Sequence, residues 1–279
     1  MDNAARVTSL FYYPVKSCRG IAIDVATLDR RGIVDDRRFM IVDEWGRFVS
    51  QRSHPRLSLV DVSVDTDHLT FNAPGAGTQR IPIIRTGSTR TVVVWRDECE
   101  AIDQGHEAAA WLSEFLETSV ELVRMDDRFR RSVDPNYAVR SSDEVGFADA
   151  YPLLVLSEES LEELNTRLET PVPMNRFRPN IVVRGGGAYA EDQWRRVRFG
   201  EVNAAIVKPC ARCSITTVDQ QTGERSKEPL RTLATYRHDP ERDVLFAQNA
   251  IHAGPGTIRV GDVVEVISAA RGPMQFTRE

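Results

Sequence analysis

Short runs of alternating apolar and polar residues dominate the first hundred positions of the chain. Ile21 to Leu28 alternates as a half-buried strand does, and Leu57 to Val64 has the same period of two. Arg38 to Val42 and Arg47 to Gln51 flank Asp43-Glu44-Trp45-Gly46, which predicts a hairpin with Gly46 in the left-handed conformation. Several short strands separated by polar turns indicate a closed or curled sheet.

Helical spacing of apolar residues appears at three places later in the chain. A helix is predicted from Gly105 to Thr118 with Asp103 as its N-cap. A second helix follows Ser157 as N-cap, and a third starts at Pro229. The strands predicted between them are Leu153 to Leu156, Ile181 to Arg184, Val202 to Val207, Ser214 to Val218, Val244 to Gln248 and Val263 to Ile267. Because strands outnumber helices and do not alternate with them, the pattern predicts a β-rich α+β fold.

Composition and charge narrow the functional classes. The 279 residues suggest about two domains, and 36 basic against 41 acidic residues give a net charge of −5. This charge argues against general nucleic-acid binding, and the basic clusters at 124–131 and 195–198 are interpreted as solvated faces. No run approaches the roughly 18 apolar residues that cross a bilayer, and the N-terminus lacks a signal-peptide core. We therefore expect a cytoplasmic protein without membrane or nucleic-acid partners.

Four cysteines without a secretion signal do not form a disulfide scaffold. Two of them, Cys210 and Cys213, lie in the motif Lys208-Pro209-Cys210-Ala211-Arg212-Cys213. A structural zinc site needs a second ligand pair, which the scattered histidines do not provide. A dithiol redox pair usually precedes a helix, but strand-like sequence follows here. A single thiolate ligand to a soft metal centre and two buried, inert cysteines both remain open.

Two other polar motifs are candidates for binding an anion or a heterocycle. The turn from Tyr13 to Gly20 offers Lys16, Arg19 and hydroxyl and backbone donors, but it lacks the spacing of a nucleotide-binding P-loop. The segment from Asn175 to Asn180 brings two arginines and two asparagines to the entrance of a strand. Each is equally consistent with an ordinary polar loop when it is considered alone.

Together these motifs resemble the MOSC-domain family, in the branch of the mitochondrial amidoxime-reducing components and their bacterial counterparts. The sequences YPVKSC at 13–18 and DRRF at 36–39 resemble the N-terminal β-barrel domain that precedes MOSC domains. The sequences at 177–183, 189–194, 210–219, 227–233 and 256–262 resemble the MOSC domain itself. The resemblance implies an N-terminal β-barrel-like domain at 1–105, packed on a MOSC β-barrel domain with a few helices at 106–279.

The resemblance implies a molybdenum cofactor, molybdopterin carrying a molybdenum centre. Cys213 matches the metal ligand. The positions that match cofactor-binding residues are Lys16, Ser17, Arg38, Arg178, Asn180, Ala211 and Arg212. Asp149 matches an acidic position near the metal and is a candidate proton donor. The family usually has Thr and Ser after it, where this chain has Ala150 and Tyr151, so a hydroxyl contact is lost or replaced.

The function implied by the resemblance is reduction of N-hydroxylated compounds: amidoximes, hydroxylamines or N-hydroxylated bases. Some bacterial relatives carry a C-terminal ferredoxin domain, whereas this chain has no cysteine after Cys213. Electrons are therefore expected from a separate partner, such as a ferredoxin, a flavoprotein or a cytochrome b5-like protein. Two alternatives stay open: a sulfur carrier with a persulfide on Cys213, and a non-catalytic cofactor-binding or storage protein.

Overall fold

The computed structural model of the protein describes residues 4–239 and 243–270. The strands of this part of the chain are β1 Arg6–Tyr12, β2 Ile21–Ile23, β3 Val25–Asp29, β4 Gly32–Ile33, β5 Phe39–Val42, β6 Asp61–Val64, β7 His68–Ala73, β8 Gly77–Pro82, β9 Thr89–Val94, β10 Asp97–Asp103, β11 Glu121–Met125, β12 Leu153–Ser157, β13 Ile181–Arg184, β14 Trp194–Phe199, β15 Val202–Ala211, β16 His238–Asp239, β17 Asp243–His252, β18 Gly256–Arg259 and β19 Val264–Ala269. The α-helices are α1 His106–Leu116, α2 Glu158–Thr166 and α3 Leu230–Ala234. The predicted β-rich α+β class is confirmed.

The strands form four sheets, and two of these join the early and late parts of the chain. The nine-stranded sheet has the order β19-β14-β15-β17-β12-β13-β1-β2, with β16 paired to β17. In it β1 runs antiparallel to β13, and in a second sheet β3 pairs with β18. The remaining sheets are β5-β11-β10-β9 and β6-β7-β8. Residues from distant parts of the sequence therefore meet at the ends of β1 and β13, where the candidate site lies.

The helices follow the predicted amphipathic pattern. In α1 the apolar face, which includes Leu112 and Phe115, is buried against a core cluster that contains Leu57 and Phe71. The Ser157 hydroxyl caps α2 by accepting a hydrogen bond from the Ser160 backbone N–H at 3.1 Å, as predicted. Within the described residues, no helix is long and apolar enough to cross a membrane.

The N-cap predicted for α1 is wrong. Gly105 occupies the cap position with a φ of 91°. Asp103 lies two residues earlier, and its carboxylate accepts from the Gly105 backbone N–H at 2.5 Å. Glycine suits this position because it adopts positive φ without a side-chain clash.

Two predicted strands take other conformations, and the strand predicted from Leu57 to Val64 begins only at Asp61, after the 3-10 helix Pro55–Leu59. The chain from Arg47 to Gln51 pairs with β5 only through an isolated bridge between Val42 and Phe48. The segment Ser214–Thr217 is a 3-10 helix, because the hydroxyls of Thr216 and Thr217 donate to the carbonyls three residues earlier.

The predicted division after residue 105 stays a prediction, but the packing crosses it. The helix α1 packs into the core cluster formed by β6, β7 and their neighbours. Strand β11 lies between β5 and β10 in the four-stranded sheet. The first structural unit therefore includes elements that extend to Met125.

Candidate functional site

A pocket of about 130 Å³ lies where the turn after β1, the loop before β12, the loop before β13 and the end of β15 meet. Eight of the nine predicted site residues line it: Lys16, Ser17, Asp149, Arg178, Asn180, Ala211, Arg212 and Cys213. Other lining residues include Arg37, Arg52, Ala150, Tyr151, Phe177 and Cys210. The fold thus brings together sequence motifs that are up to about two hundred positions apart.

Three lining residues have a left-handed backbone although they are not glycines. The φ angles are 73° at Ser17, 47° at Arg37 and 57° at Arg178. Each such residue costs about 1–3 kcal/mol unless the surrounding structure holds it in place. Hydrogen bonds do so here: the Arg37 N–H donates to the Tyr13 carbonyl at 2.7 Å, and Ser17 accepts from the Gln51 side chain at 2.7 Å. Strain of this kind is typical of functional sites.

Lys16 and Asp149 form an ion pair on one wall of the pocket. The Lys16 Nζ lies 2.5 Å from Asp149 Oδ1 and also donates to the Phe147 carbonyl at 2.9 Å. The Lys16 side chain is 7% exposed and the Asp149 side chain 55%. The Arg52 guanidinium lies 3.6 Å from the second oxygen, Oδ2. This wall therefore carries a carboxylate between two cations.

The electrostatics of Asp149 oppose the predicted role of proton donor. Partial desolvation raises the pKa of Asp149, but Lys16, Arg52 and the Trp95 indole N–H outweigh it and hold that pKa well below its usual range. Burial lowers the pKa of Lys16, and the charge of Asp149 opposes that shift. In this charge arrangement Asp149 is ionised at neutral pH, so it accepts hydrogen bonds.

Arg178 is a buried cation without a carboxylate partner in the described part of the chain. The residue is 9% exposed, and its Nη1 donates to the Cys18 carbonyl at 2.7 Å. Its guanidinium lies 4.3 Å from the centre of the Tyr13 ring, and Arg37 lies 4.2 Å from the same ring. Burial lowers the pKa of Arg178 to about 10, so it remains protonated at neutral pH.

Arg212 connects the segment from Cys210 to Cys213 to the loop before β13. Its Nη1 lies 2.9 Å from Cys210 Sγ, and its Nη2 donates to the Phe177 carbonyl at 2.9 Å. The Nε of Arg212 is buried and has no hydrogen-bond partner among the described residues. Cys210 and Cys213 are both partly exposed and both line the pocket. The pocket therefore has a guanidinium with an unpaired donor beside two partly exposed thiols.

Asn180 ties the pocket to the sheet. Its side-chain oxygen accepts from the Arg37 guanidinium at 3.1 Å and from the Leu154 backbone N–H at 3.2 Å. Its amide nitrogen donates to the Phe11 carbonyl at 3.2 Å. Asn180 therefore fixes the position of Arg37, while Ala211, at the end of β15, contributes a small side chain to the lining.

The structure does not place Arg38 in this pocket. Its guanidinium donates to both carboxylate oxygens of Asp29, at 2.6 and 2.7 Å. Arg37 lines the pocket instead, because its left-handed backbone turns the chain immediately before β5. The motif at 36–39 contains both arginines, and the residue that lines the pocket is the neighbour of the predicted one. No local sequence signal marks Arg52 as a pocket residue.

Two family models match the chain in order. The MOSC N-terminal beta barrel domain matches residues 4–119, and the MOSC domain matches residues 142–265. Mitochondrial amidoxime-reducing component 1 of Mus musculus is 39% identical over 96% of this chain and 84% of its own length. The same component of Homo sapiens is 37% identical with the same coverage, and component 2 of Bos taurus is 34% identical over 95% and 84%. The chain belongs to the MOSC family of amidoxime-reducing components.

The family match divides the pocket between its two domains. Lys16, Arg37 and Arg52 lie in the segment that matches the N-terminal domain, while Asp149 and the residues from Leu153 onwards lie in the segment that matches the MOSC domain. The family and the domains support a reductase of the kind that binds a molybdenum cofactor. In this MOSC protein, therefore, neither domain alone carries the whole site.

Proposed function

We propose that the chain holds a molybdenum cofactor in this pocket and reduces N-hydroxylated compounds such as amidoximes, hydroxylamines and N-hydroxylated bases. The observation that carries the proposal is the charge of the lining: five cations and one carboxylate surround two accessible thiols. The cations are Lys16, Arg37, Arg52, Arg178 and Arg212. Such a lining suits an anionic group, since paired guanidinium and ammonium donors favour phosphate oxygens.

The residues fit the parts of a metal-pterin cofactor. Arg178 and Lys16 are the donors for its phosphate end, and the buried Nε of Arg212 is an unused donor for an acceptor atom. The Cys213 thiolate is the proposed metal ligand, because thiolates are soft ligands that suit a sulfur-rich centre. When bound, the cofactor supplies the two-electron chemistry that removes the oxygen of an N–O bond.

The protein residues have separate tasks in the proposed reaction. Each turnover consumes two electrons and two protons and releases one water molecule. Asp149 accepts a hydrogen bond from the substrate, and its ion pair with Lys16 keeps the carboxylate in place. A separate protein supplies the electrons, and a ferredoxin, a flavoprotein or a cytochrome b5-like protein are the proposed classes. The cytoplasmic location stays a prediction.

The test is amidoxime reduction with an artificial electron donor, using protein made in a host that synthesises the cofactor. We expect Cys213→Ala to abolish activity, because the metal loses its protein ligand. Cys210→Ala is the matched control, since Cys210 lines the same pocket, and it should keep substantial activity. Equal loss in both variants contradicts the ligand assignment. Folded protein that lacks molybdenum but carries cyanide-labile sulfur supports the persulfide carrier instead.

A further inference from the structure

Two buried glutamine side chains join the two domains next to the pocket. Gln220 Nε2 donates to Gln51 Oε1 at 2.9 Å, and Gln51 Nε2 donates to Gln220 Oε1 at 3.2 Å. Gln51 is fully buried and Gln220 is 3% exposed. Gln51 lies in the segment that matches the N-terminal domain, and Gln220 lies in the segment that matches the MOSC domain. The amide pair is therefore a contact between the domains, and neither side chain lines the pocket.

On the N-terminal side, Gln51 holds the wall of the pocket that carries Lys16 and Arg52. Its Nε2 also donates to the Ser17 carbonyl at 2.7 Å, and the backbone φ of Ser17 is 73°. A serine in this left-handed conformation is costly unless other contacts hold it. Lys16 precedes Ser17 and Arg52 follows Gln51, and both cations lie against the carboxylate of Asp149. Gln51 therefore fixes the turn that carries one cation and the start of the loop that carries the other.

On the side of the MOSC domain, Gln220 ends a segment that begins at Cys213. The 3-10 helix Ser214–Thr217 lies between them, and the Thr216 backbone N–H donates to the Cys213 carbonyl at 3.2 Å. Gln220 Nε2 also donates to the Val218 carbonyl at 3.1 Å. A short, hydrogen-bonded segment therefore connects the thiol to the amide pair.

We infer that Gln220 is a positioning residue that, through Gln51, sets the spacing between the Cys213 thiol on one domain and the pocket cations on the other. The inference rests on the proposed function where it concerns the cofactor, because only a ligand that contacts both domains depends on this spacing. An amide pair suits the task, since each side chain donates and accepts and the two bonds fix their relative orientation. Breaking a buried pair is costly, because the remaining partner keeps an unpaired polar group.

Three variants separate positioning from a general effect on stability. Gln220→Met leaves the side-chain oxygen of Gln51 without its donor. Ser58→Ala is the matched control: the buried Ser58 hydroxyl donates to the Asp219 carbonyl at 3.3 Å, so it ties the same loop to the N-terminal domain by a separate hydrogen bond. The double variant Gln51→Met/Gln220→Met removes both amides, so neither is left unpaired, but the Ser17 carbonyl loses its donor.

The first measurement is the molybdenum and pterin content of protein from a host that makes the cofactor. We expect both to fall about three- to tenfold in Gln220→Met and to change by less than about twofold in Ser58→Ala. The melting temperature should fall by several degrees in Gln220→Met and recover in part in the double variant. Cofactor content should not recover with it, because Ser17 is no longer held. Equal cofactor content in Gln220→Met and Ser58→Ala, or its recovery in the double variant, overturns the inference.

Hydrogen–deuterium exchange of the cofactor-free protein tests the positioning without relying on the proposed function. Peptides that cover residues 15–19 report on the turn at Ser17, in which the Cys18 backbone N–H donates to the Val15 carbonyl at 3.1 Å. We expect exchange there to be about threefold faster in Gln220→Met, faster still in the double variant and unchanged in Ser58→Ala. Faster exchange in Gln220→Met, together with wild-type protein that acquires no cofactor, defeats the proposed function and leaves the positioning supported. Unchanged exchange in Gln220→Met overturns the positioning, whatever the cofactor content.

Discussion

The arginines between residues 124 and 131 and two pocket cations, Arg178 and Arg212, differ in their electrostatic surroundings. In the first group carboxylates compensate the charge: the pairs are Arg124–Asp127 at 2.9 Å, Arg128–Asp126 at 2.6 Å and Arg131–Asp97 at 2.7 Å. In the pocket lining, Lys16 and Arg52 share the carboxylate of Asp149, and Arg37 pairs with Asp36 at 2.7 Å. Arg178 and Arg212 have no carboxylate partner within the described residues, although Arg178 is almost fully buried.

The difference separates cations that build the fold from the cations that we propose to bind a ligand. Arg131 is 4% exposed and, besides Asp97, donates to the carbonyls of Gly146, Ala148 and Asp149. It therefore positions the loop that carries Asp149. A buried cation without a carboxylate instead costs desolvation energy that a bound anion offsets. The expected ligand of the pocket is consequently anionic.

The largest expected effect comes from removing a compensated cation. Arg131→Met leaves three backbone carbonyls without a donor, so we expect the free energy of unfolding to fall by about 3–5 kcal/mol. Urea denaturation measures the change. Arg130→Met is the matched control on the neighbouring, exposed residue and should change stability by less than about 0.5 kcal/mol. Similar losses in both variants contradict the structural role of Arg131.

The thiols give a second, sharper comparison between the core and the pocket. Burial raises the pKa of Cys18 to about 12 and that of Cys99 to about 11. Near neutral pH, these raised pKa values lower the thiolate fraction of both residues by about a hundredfold or more relative to an ordinary cysteine. We expect iodoacetamide to label the partly exposed Cys210 and Cys213 in folded, cofactor-free protein and all four cysteines after denaturation, as read by mass spectrometry. Labelling of Cys18 under native conditions goes against this packing.

Removing an uncompensated cation should affect the ligand more than the fold. Arg178→Met is expected to lower cofactor content by about tenfold or more, because a charged hydrogen bond to a phosphate is lost. The free energy of unfolding of the cofactor-free protein should change by less than about 1.5 kcal/mol, since one hydrogen bond to the Cys18 carbonyl is lost but no ion pair is broken. Metal analysis and urea denaturation provide the two readings. A large loss of stability with unchanged cofactor content would mean that Arg178 stabilises the fold and does not bind the ligand.

The smallest effect concerns the Lys16–Asp149 pair. Because the pKa of Asp149 is lowered in the folded state, the pair stabilises the protein above the unfolded-state pKa of about 4 and this contribution is lost as the pH falls further. Asp149 is half exposed, so the contribution is less than about 1 kcal/mol. At pH 7 the free energy of unfolding should be slightly larger for wild type than for Asp149→Asn. Denaturation at pH 3 should show that this difference is lost. A stability difference that grows in favour of wild type at low pH would contradict the predicted direction of the pH dependence.

The sequence predicted most of the elements because local rules decide them. The apolar period and the Ser157 cap predict α1 and α2, and the alternating segments predict most of the strands. Ser214–Thr217 was predicted as a strand because threonine favours strands, but the threonine hydroxyls close a 3-10 turn there. The same limit applies to the charges: the cluster at 124–131 was expected to be solvated, yet Arg124 and Arg131 are buried.

The site was predicted through motifs, and its remaining parts depend on the three-dimensional fold. Eight predicted residues line the pocket; seven of them lie in motifs with a recognisable sequence, and Asp149 was assigned through the family resemblance alone. Arg37 and Arg38 are adjacent, and only the backbone turn before β5 decides which one faces the pocket. Arg52 and Trp95 come from a loop and a hairpin tip that meet Asp149 only after folding.

The most direct test of the account is the molybdenum and pterin content of protein purified from a host that makes the cofactor. The account predicts close to one of each per chain, and loss of the metal in Cys213→Ala. Well-folded wild-type protein that contains neither molybdenum nor pterin would contradict the claim that the uncompensated cations of the pocket hold this cofactor.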